Sequence, residues 1–373
     1  MAVNDDIADA LTSHSIGLQR LSNSEVRKIV AILNRSDARL VERLLREDMT
    51  AISRQRQTKF LADIRAIVSS SYRDATGQLH IDLGQLATYE GDYQTDMLKR
   101  VVPVNVNWIT PSADQLYAAA TSRPFEGRLL REWYTKLEAD AQTRIRTTIQ
   151  QGIVEQRTTA QMVRDIRGTR AQGFKDGVLA TNRRAAEAIV RTATNHTATA
   201  SRDRLYKRNK RLIKGAQWLS TLDTRTSAPC RAADNKVAWL DGYTRKDFPR
   251  GTKFLADVPG FTNETRPPYH INCRSSTTPV LRSFKDLGIP GKDLTDTTRA
   301  SMNGQVAADM TYSDWLRKQP VNVQDDVLGP SKASLFRKGE IDLDRFVNDK
   351  GDELTLDQLR KQEASAWAKA GLD

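Results

Sequence analysis

Two polar segments, at residues 222–230 and 267–279, constrain the fold of this chain more than any other feature. Together they contain both cysteines of the protein and one of its four histidines. Between them, residues 234–239 have the pattern of a turn that leads into a strand. Such a density of polar residues, framed by Trp218, Trp239 and three prolines, predicts a small domain organised around a polar centre.

The expected polar centre draws on both segments. We expect a hydrogen-bonded core in which Asp223 accepts from Arg225, from Arg274 or from backbone amides. Because the apolar core of such a domain is thin, the polar network would have to specify its fold. Removal of one partner of a buried charged hydrogen bond should therefore be strongly destabilising. The seven members expected to converge are Asp223, Arg225, Cys230, His270, Asn272, Cys273 and Arg274.

The motifs within these segments follow a specific order along the chain. They are Leu-Asp-x-Arg-Thr with Cys-Arg from residue 222, Asp-Asn-Lys-x-x-Trp from residue 234, and Pro-Pro-x-His-x-Asn-Cys-Arg from residue 267. In this order they resemble the minor head protein domain of tailed phages, typified by protein F of phage Mu. Residues 188–195 resemble the Arg-Thr-bearing helix of that family, with Ala193 where an acidic residue is common. Segments between residues 312 and 339 resemble the tail that often follows the domain, so the resemblance covers roughly residues 145–360.

The resemblance implies a non-enzymatic structural protein of a phage head. It implies a place in the virion near the portal vertex, with the portal protein as partner and the major capsid protein as a further one. The implied roles are capsid assembly and the packaging, retention or delivery of DNA. A DNA-binding internal virion protein is the second interpretation, and a metal-dependent nuclease or toxin-like enzyme is the third.

The polar centre also contains residue types that bind zinc. However, many members of the resembled family have further cysteines at the positions of Ser227 and Ser275, and a serine hydroxyl is a poor zinc ligand. We therefore expect a centre without a metal or other cofactor. A disulfide is disfavoured by a reducing cytoplasm, although a released virion is no longer protected by that compartment. The candidate metal ligands are Cys230, His270, Cys273 and Asp223.

No catalytic residue is expected. A nucleophilic Cys–His pair would need an oxyanion-stabilising loop, and no glycine-rich loop lies near His270 in the sequence. An HNH-type nuclease would need a second histidine near His270, whereas the others are His14, His80 and His196. The sequence also contains no Gly-x-x-x-x-Gly-Lys-Ser/Thr phosphate loop.

The chain is strongly basic, with a formal net charge of +12. Basic proteins bind phosphate backbones through counterion release, without reading bases. Only 6% of residues are aromatic, so a stacking platform for single-stranded nucleic acid is not indicated. One basic stretch is expected to contact double-stranded DNA or an acidic partner, or else to be a solvated helix end where cations suit the dipole. Its cations are Arg202, Arg204, Lys207, Arg208, Lys210, Arg211 and Lys214.

Apolar residues at helical spacing predict a mainly α-helical protein with a small α+β domain. A turn is predicted at residues 74–78, and a strand or an extended connection at residues 101–109, which Pro103 interrupts. The predicted organisation has four parts. They are a helical N-terminal region (1–125), a long-helix region leading into the minor head domain (126–210), a compact α+β core (211–285) and a C-terminal arm (286–373).

Two features of the sequence indicate whether the chain associates with a membrane. No apolar run is long enough for a transmembrane helix, and the first residues lack the basic and apolar pattern of a secretory signal. We therefore expect no membrane partner, and assembly in the host cytoplasm.

Overall fold

The computed structural model describes residues 3–49, 52–102, 106–283, 287, 298–302, 304–307, 309–338 and 341–372. Within these ranges the protein is mainly α-helical with a small antiparallel sheet, which confirms the predicted fold class. Among the helices that can be described, none has an apolar stretch suited to crossing a bilayer.

Long helices account for most of the chain up to residue 208. Their apolar residues recur at helical spacing, as in α1, where Leu33, Leu40 and Leu44 are all buried. The bounds are α1 (Val3–Leu45), α2 (Arg54–Val101), α3 (Ala113–Ser122), α4 (Leu130–Val154), α5 (Thr159–Arg167) and α6 (Val178–Arg208).

The turn predicted at residues 74–78 is wrong, because α2 continues through them. Ala75 and Leu79 are both buried, and their spacing of four residues places them on one helix face. Burial of this face outweighs the local turn preference of Gly77 and its neighbours. Further on, residues 106–110 form a connection outside any strand, and residues 103–105 lie outside the described residues.

A three-stranded antiparallel sheet follows α6. Its strands are β1 (Ile213–Leu219), β2 (Val237–Trp239) and β3 (Ser276–Leu281), in the order β2-β1-β3. The central strand is buried along most of its length, and a short helix, α7 (Ala228–Ala233), lies between β1 and β2 in sequence. A separate pair is formed by β4 (Thr298–Ser301) and β5 (Gly304–Ala307).

The end of the chain packs around Leu222, the first residue of the first polar segment. Leu222 is fully buried in a cluster that includes Trp315 and Phe336. The cluster therefore connects the first polar segment to the helical C-terminal part. The helices of that part are α8 (Tyr312–Arg317), α9 (Val321–Leu328), α10 (Pro330–Lys338), α11 (Leu356–Gln362) and α12 (Ala364–Ala370).

The chain divides into two compact units, each assembled from non-contiguous segments. The helical unit comprises Leu18–Ala87 and Tyr117–Thr197. The motif unit comprises Met1–Gly17, Thr88–Leu116 and Ala198–Asp373, and it contains both polar segments. The four contiguous parts predicted from the sequence stay a prediction.

Candidate functional site

The pairing of β1 with β3 brings the two polar segments together. Leu219, at the end of β1, is paired with Ser276, at the start of β3. Just beyond this pair, the hydroxyl of Thr221 donates to the carbonyl of Arg274 over 3.3 Å. Pro229 lies in the first turn of α7, where its missing N–H removes no helical hydrogen bond. The first segment therefore turns back over the second.

Cys230, His270 and Cys273 meet at this place. The Sγ atom of Cys230 lies 3.4 Å from Nε2 of His270 and 3.7 Å from Sγ of Cys273. The three atoms that could ligate a metal all lie within 4.8 Å of one another. Both cysteines are buried free thiols, whereas His270 is partly exposed. This thiol–imidazole cluster is thus closed on the cysteine side and accessible on the histidine side.

The imidazole of His270 is oriented through both of its nitrogens. Its Nδ1 lies 2.8 Å from the carbonyl oxygen of Ile271, which can only accept, so Nδ1 carries the proton. Its Nε2 lies 2.7 Å from the hydroxyl of Ser227, which donates to it. The nitrogen that faces the thiols is therefore the one without a proton, as a metal ligand requires.

The two thiols differ in acidity. The pKa of Cys230 is lowered, chiefly by a hydrogen bond from Cys273 and further by the hydroxyls of Ser227 and Ser275. Burial raises the pKa of Cys273 well above its usual value, and the neighbouring Cys230 raises it further. Cys230 is therefore the thiol that ionises first.

Asp223 belongs to a separate ion pair. Its Oδ1 accepts from Nη2 of Arg274 over 2.8 Å, and Nη1 of the same guanidinium donates to Oδ2. Burial alone would raise the pKa of Asp223, but the hydrogen bond and charge of Arg274 lower it. Within the part of the chain that the structure describes, the group of candidate metal ligands does not include Asp223. Asp223, which the sequence offered as a candidate fourth ligand, therefore lies outside this group.

Two residues expected in the centre lie at the surface. The side chain of Arg225 is 81% exposed, and its guanidinium approaches Asp223 only to 3.8 Å, although its backbone N–H donates to Oδ1 of that residue. Asn272 is exposed and has a φ of 62°, a left-handed conformation that asparagine tolerates better than most residues. Asn272 therefore contributes to the turn between His270 and Cys273, and the buried centre does not include it.

Asp234, which was interpreted only as part of a turn, is a central residue of the site. It is buried, and its two carboxylate oxygens accept from the backbone N–H groups of Ser220, over 2.8 Å, and Tyr312, over 2.7 Å. The Ser220 hydroxyl accepts from the indole of Trp218 and donates to the carbonyl of Cys230. Asp234 thus connects the end of β1 to the start of α8. The only sequence signal was an acidic residue in a turn before a strand.

Arg202 does not belong to an exposed basic surface. It is buried within the motif unit and forms an ion pair with Glu90, whose other carboxylate oxygen lies 2.8 Å from Nε2 of His14. Burial alone would raise the pKa of Glu90, but Arg202 and His14 outweigh it and lower the pKa to about 2. The expectation that Arg202 contacts DNA is wrong, because its charge is neutralised inside the protein.

The remaining cations of the basic stretch differ in exposure. Lys214 is mostly buried, and its ammonium group donates to the carbonyl of Asp247 over 3.0 Å. Lys207 is partly exposed and forms an ion pair with Asp203 at 3.2 Å. The exposed members are Arg204, Arg208, Lys210 and Arg211.

A groove of about 680 Å³ collects cations from three separate parts of the motif unit. Its wall is fixed by Tyr243, whose hydroxyl donates to the carbonyl of Lys210 over 2.6 Å. The excess of cations over carboxylates gives this concave surface a positive potential that suits an anionic partner. The charged residues that line it are Lys210, Arg211, Lys214, Lys246, Arg282, Asp241 and Asp247.

The other three histidines are engaged elsewhere. His14 contacts Glu90, His80 lies 2.6 Å from the hydroxyl of Tyr117, and His196 lies 2.8 Å from the carbonyl of Ala120. Burial lowers the pKa of His196 to about 4. Among the described residues, none of these histidines joins the cluster around His270. The site therefore lacks the second histidine that the nuclease interpretation would require.

Comparison with known families supports the resemblance seen in the motifs. A family model described as "Phage Mu protein F like protein" matches residues 139–278, which include β1, β2, α7 and the whole thiol–imidazole cluster. Neither a curated protein nor a solved structure matches the chain. The match contains both polar segments up to Thr278, so residues 139–278 are similar to phage Mu protein F-like proteins.

Proposed function

We propose that this protein is a structural minor head protein of a tailed phage. In this proposal it associates with the portal vertex and acts in capsid assembly, in the packaging, retention or delivery of DNA, or in both. The observation that carries it is the match of residues 139–278 to the phage Mu protein F-like family, a family of head morphogenesis. The virion is accordingly the proposed location.

The geometry of the site supports a structural role. The carboxylates of Asp223 and Asp234 are occupied by partners within the protein, namely Arg274 and the backbone N–H groups of Ser220 and Tyr312. These contacts tie separate parts of the motif unit to one another. A general acid or base would instead need a carboxylate or imidazole aimed at a substrate-sized cavity.

The proposal is tested by capture from phage-infected cells. The protein, carrying an affinity tag, is expected to recover the portal protein in reproducible stoichiometry, with the major capsid protein as a second partner. The matched control is the tagged Asp223→Ala variant, which should lose the partner if the motif unit forms the contact. Recovery of neither the portal nor the capsid protein by the unaltered chain would overturn the proposal.

A second candidate function, binding of double-stranded DNA, is supported by the basic groove. Its exposed cations Lys210, Arg211 and Lys246 come from two separate parts of the chain, and their convergence gives one anion-binding surface. Such a surface would bind DNA through its phosphates, with little sequence preference. This function is compatible with retention or delivery of the genome by a head protein.

Salt dependence tests the groove. The affinity for a DNA duplex, measured by fluorescence anisotropy, is expected to fall steeply with salt, by a slope of about −0.9 for each phosphate contacted. A triple variant, Lys210→Ala, Arg211→Ala and Lys246→Ala, should reduce this slope by about 2–3.

The control for this experiment removes the same charge elsewhere. A triple variant at the exposed Arg54, Arg56 and Lys59, near the start of α2, lowers the net charge equally and should leave the slope unchanged. Equal slopes for the groove variant and the unaltered chain would show that the groove cations face solvent and do not contact DNA phosphates.

A further inference from the structure

We propose that Cys230, His270 and Cys273 bind a divalent metal ion with a preference for sulfur and nitrogen ligands, zinc being the expected one. The donor set of two thiolates and one imidazole is characteristic of zinc and of few other biological divalent ions. The three ligand atoms lie within 4.8 Å of one another although they come from two segments far apart in sequence. This inference stands independently of the proposed role in the phage head.

The distances within the cluster fit the edges of a zinc coordination tetrahedron. Zinc lies about 2.3 Å from sulfur and about 2.0–2.1 Å from nitrogen, which places two sulfurs about 3.8 Å apart and sulfur and nitrogen about 3.6 Å apart. In the protein the sulfurs of Cys230 and Cys273 are 3.7 Å apart, and Sγ of Cys230 is 3.4 Å from Nε2 of His270. These two edges therefore match the tetrahedron to within a few tenths of an ångström, and the third, between the ligand atoms of Cys273 and His270, is at most 4.8 Å long.

The protein also supplies the outer contact that a ligating histidine needs. The Nδ1–H group of His270 donates to the carbonyl of Ile271 over 2.8 Å, which fixes both the tautomer and the plane of the ring. Metal-binding histidines almost always donate their other N–H to a carbonyl, a carboxylate or a water. Nε2 is thereby held as the ligating atom before any ion arrives.

The charge balance favours an ion at this depth. The cluster is surrounded by apolar side chains that include Trp218, Val258 and Phe261, where an isolated charge would be strongly disfavoured. Two thiolates and a divalent cation together carry no net charge. Binding of the ion with release of both thiol protons therefore leaves a neutral complex in the apolar surroundings.

The fourth coordination position faces the accessible side of the cluster. Asp223 is bound to Arg274 and does not reach it, whereas the hydroxyl of Ser227 lies 2.7 Å from Nε2 of His270. Ser227 and His270 are both partly exposed, so a water molecule can complete the coordination there. The result is a centre with three protein ligands and one exchangeable ligand.

Metal content of the full-length chain provides the direct test. The protein is purified in the presence of a reductant, supplied with Zn²⁺ and dialysed. Its metal content is then measured by inductively coupled plasma mass spectrometry. About one zinc per chain is expected. With Co²⁺ in its place, the expected absorption spectrum shows sulfur-to-cobalt charge transfer and the visible bands of a tetrahedral ion.

Matched variants separate this site from adventitious binding. His270→Gln should abolish the cobalt spectrum, whereas His80→Gln, at a histidine bonded to Tyr117, should leave it unchanged. Ser227→Cys, which offers a third thiolate at the fourth position, should tighten zinc binding by about tenfold or more in competition with a chromophoric chelator. Ser227→Ala should retain about one zinc per chain.

Two results would overturn the proposal. One is a folded, reduced chain with two titratable thiols that retains no zinc or cobalt, which would make the cluster a hydrogen-bonded core. The other is a chain purified without reductant whose mass is lower by two hydrogens and whose reduction does not restore metal binding, which would make it a disulfide.

Discussion

The helical unit and the sheet region of the motif unit are stabilised by different kinds of contact. In the helical unit, large apolar side chains such as Phe60, Leu83 and Ile145 are buried at helical spacing along long elements. In the motif unit, three short strands and the six-residue α7 depend on individual polar contacts, above all those of Asp223 and Asp234. Repeated apolar packing distributes stability over many residues, whereas a polar network concentrates it in a few. Single polar substitutions should therefore destabilise the sheet region of the motif unit far more than the helical unit.

A further contrast exists between two carboxylates, Glu90, which is fully buried, and Asp37, which is partly exposed. Glu90, in the motif unit, contacts both Arg202 and His14, and these outweigh burial and lower its pKa to about 2. Asp37, in the helical unit, is paired with Arg183 at 2.5 Å, and burial outweighs this single partner and raises its pKa to about 6. In these two carboxylates the balance between burial and the charged partners sets the sign of the pKa shift.

The largest effect is expected from Asp234→Ala. This change leaves the buried N–H groups of Ser220 and Tyr312 without their acceptor and should lower the free energy of unfolding of the motif unit by about 3–5 kcal/mol. Hydrogen exchange read by mass spectrometry should show loss of protection in β1 and α8, with the helical unit still protected. Asp241→Ala, at an exposed aspartate in the same unit, is the control and should change little. Equal effects of the two variants would contradict the concentration of stability in the network.

A smaller effect is expected from Asp223→Ala. The change removes the partner of Arg274, whose side chain is 27% exposed, so water can partly compensate for the loss. We expect a loss of about 2–3 kcal/mol, below the full value for a buried pair, and unfolding of the sheet region before the helical unit. Thermal unfolding followed by hydrogen exchange measures both the loss of stability and the order in which the two units unfold. Loss of protection in both units at the same temperature would remove the distinction between them.

The smallest effect concerns pH and the helical unit. Because the folded pKa of Asp37 is about 6, above its ordinary value of 3.8, the folded state binds the proton more tightly than the unfolded state. Stability contributed by this group is therefore present at low pH and is lost as pH rises from about 4 to about 6, by on the order of 1–2 kcal/mol.

Urea unfolding between pH 4.5 and pH 7 checks this sign. Asp37→Asn should remove the loss of stability with rising pH, whereas Asp74→Asn, at an exposed position on α2, should retain it. For Glu90 the sign is opposite, and its contribution should be lost only as pH falls from about 4.5 towards 2. A helical unit whose stability rises with pH from 4.5 to 7 would contradict the assignment to Asp37.

Local patterns in the sequence were sufficient to predict some features of the structure. Apolar spacing predicts the long helices, and the mainly α-helical fold follows from it. The turn predicted at residues 74–78 failed because burial of Ala75 and Leu79 in a long helix outweighs local turn preference. The similarity to phage Mu protein F-like proteins could be recognised from the order of the motifs, since the matched residues 139–278 contain them.

Long-range pairing could not be predicted from such patterns. Arg202 and Glu90 are 112 residues apart, so no local pattern distinguishes Arg202 from its exposed neighbours in the basic stretch. Asp234 likewise gains its role from Tyr312, which lies 78 residues further along the chain. Lys210, Lys246 and Arg282 line the same groove because β1 pairs with β2 and with β3. In each case the tertiary fold decides which of several similar side chains is used.

An asymmetric reconstruction of the assembled phage particle tests the central claim, that this chain is a head protein of the portal vertex, most directly. We expect density for residues 139–278 at a single vertex, in contact with the portal ring, with the β1–β3 sheet and α7 recognisable in the map. A particle that lacks the chain, or one in which it follows the capsid lattice at every vertex, would exclude a place at the portal vertex.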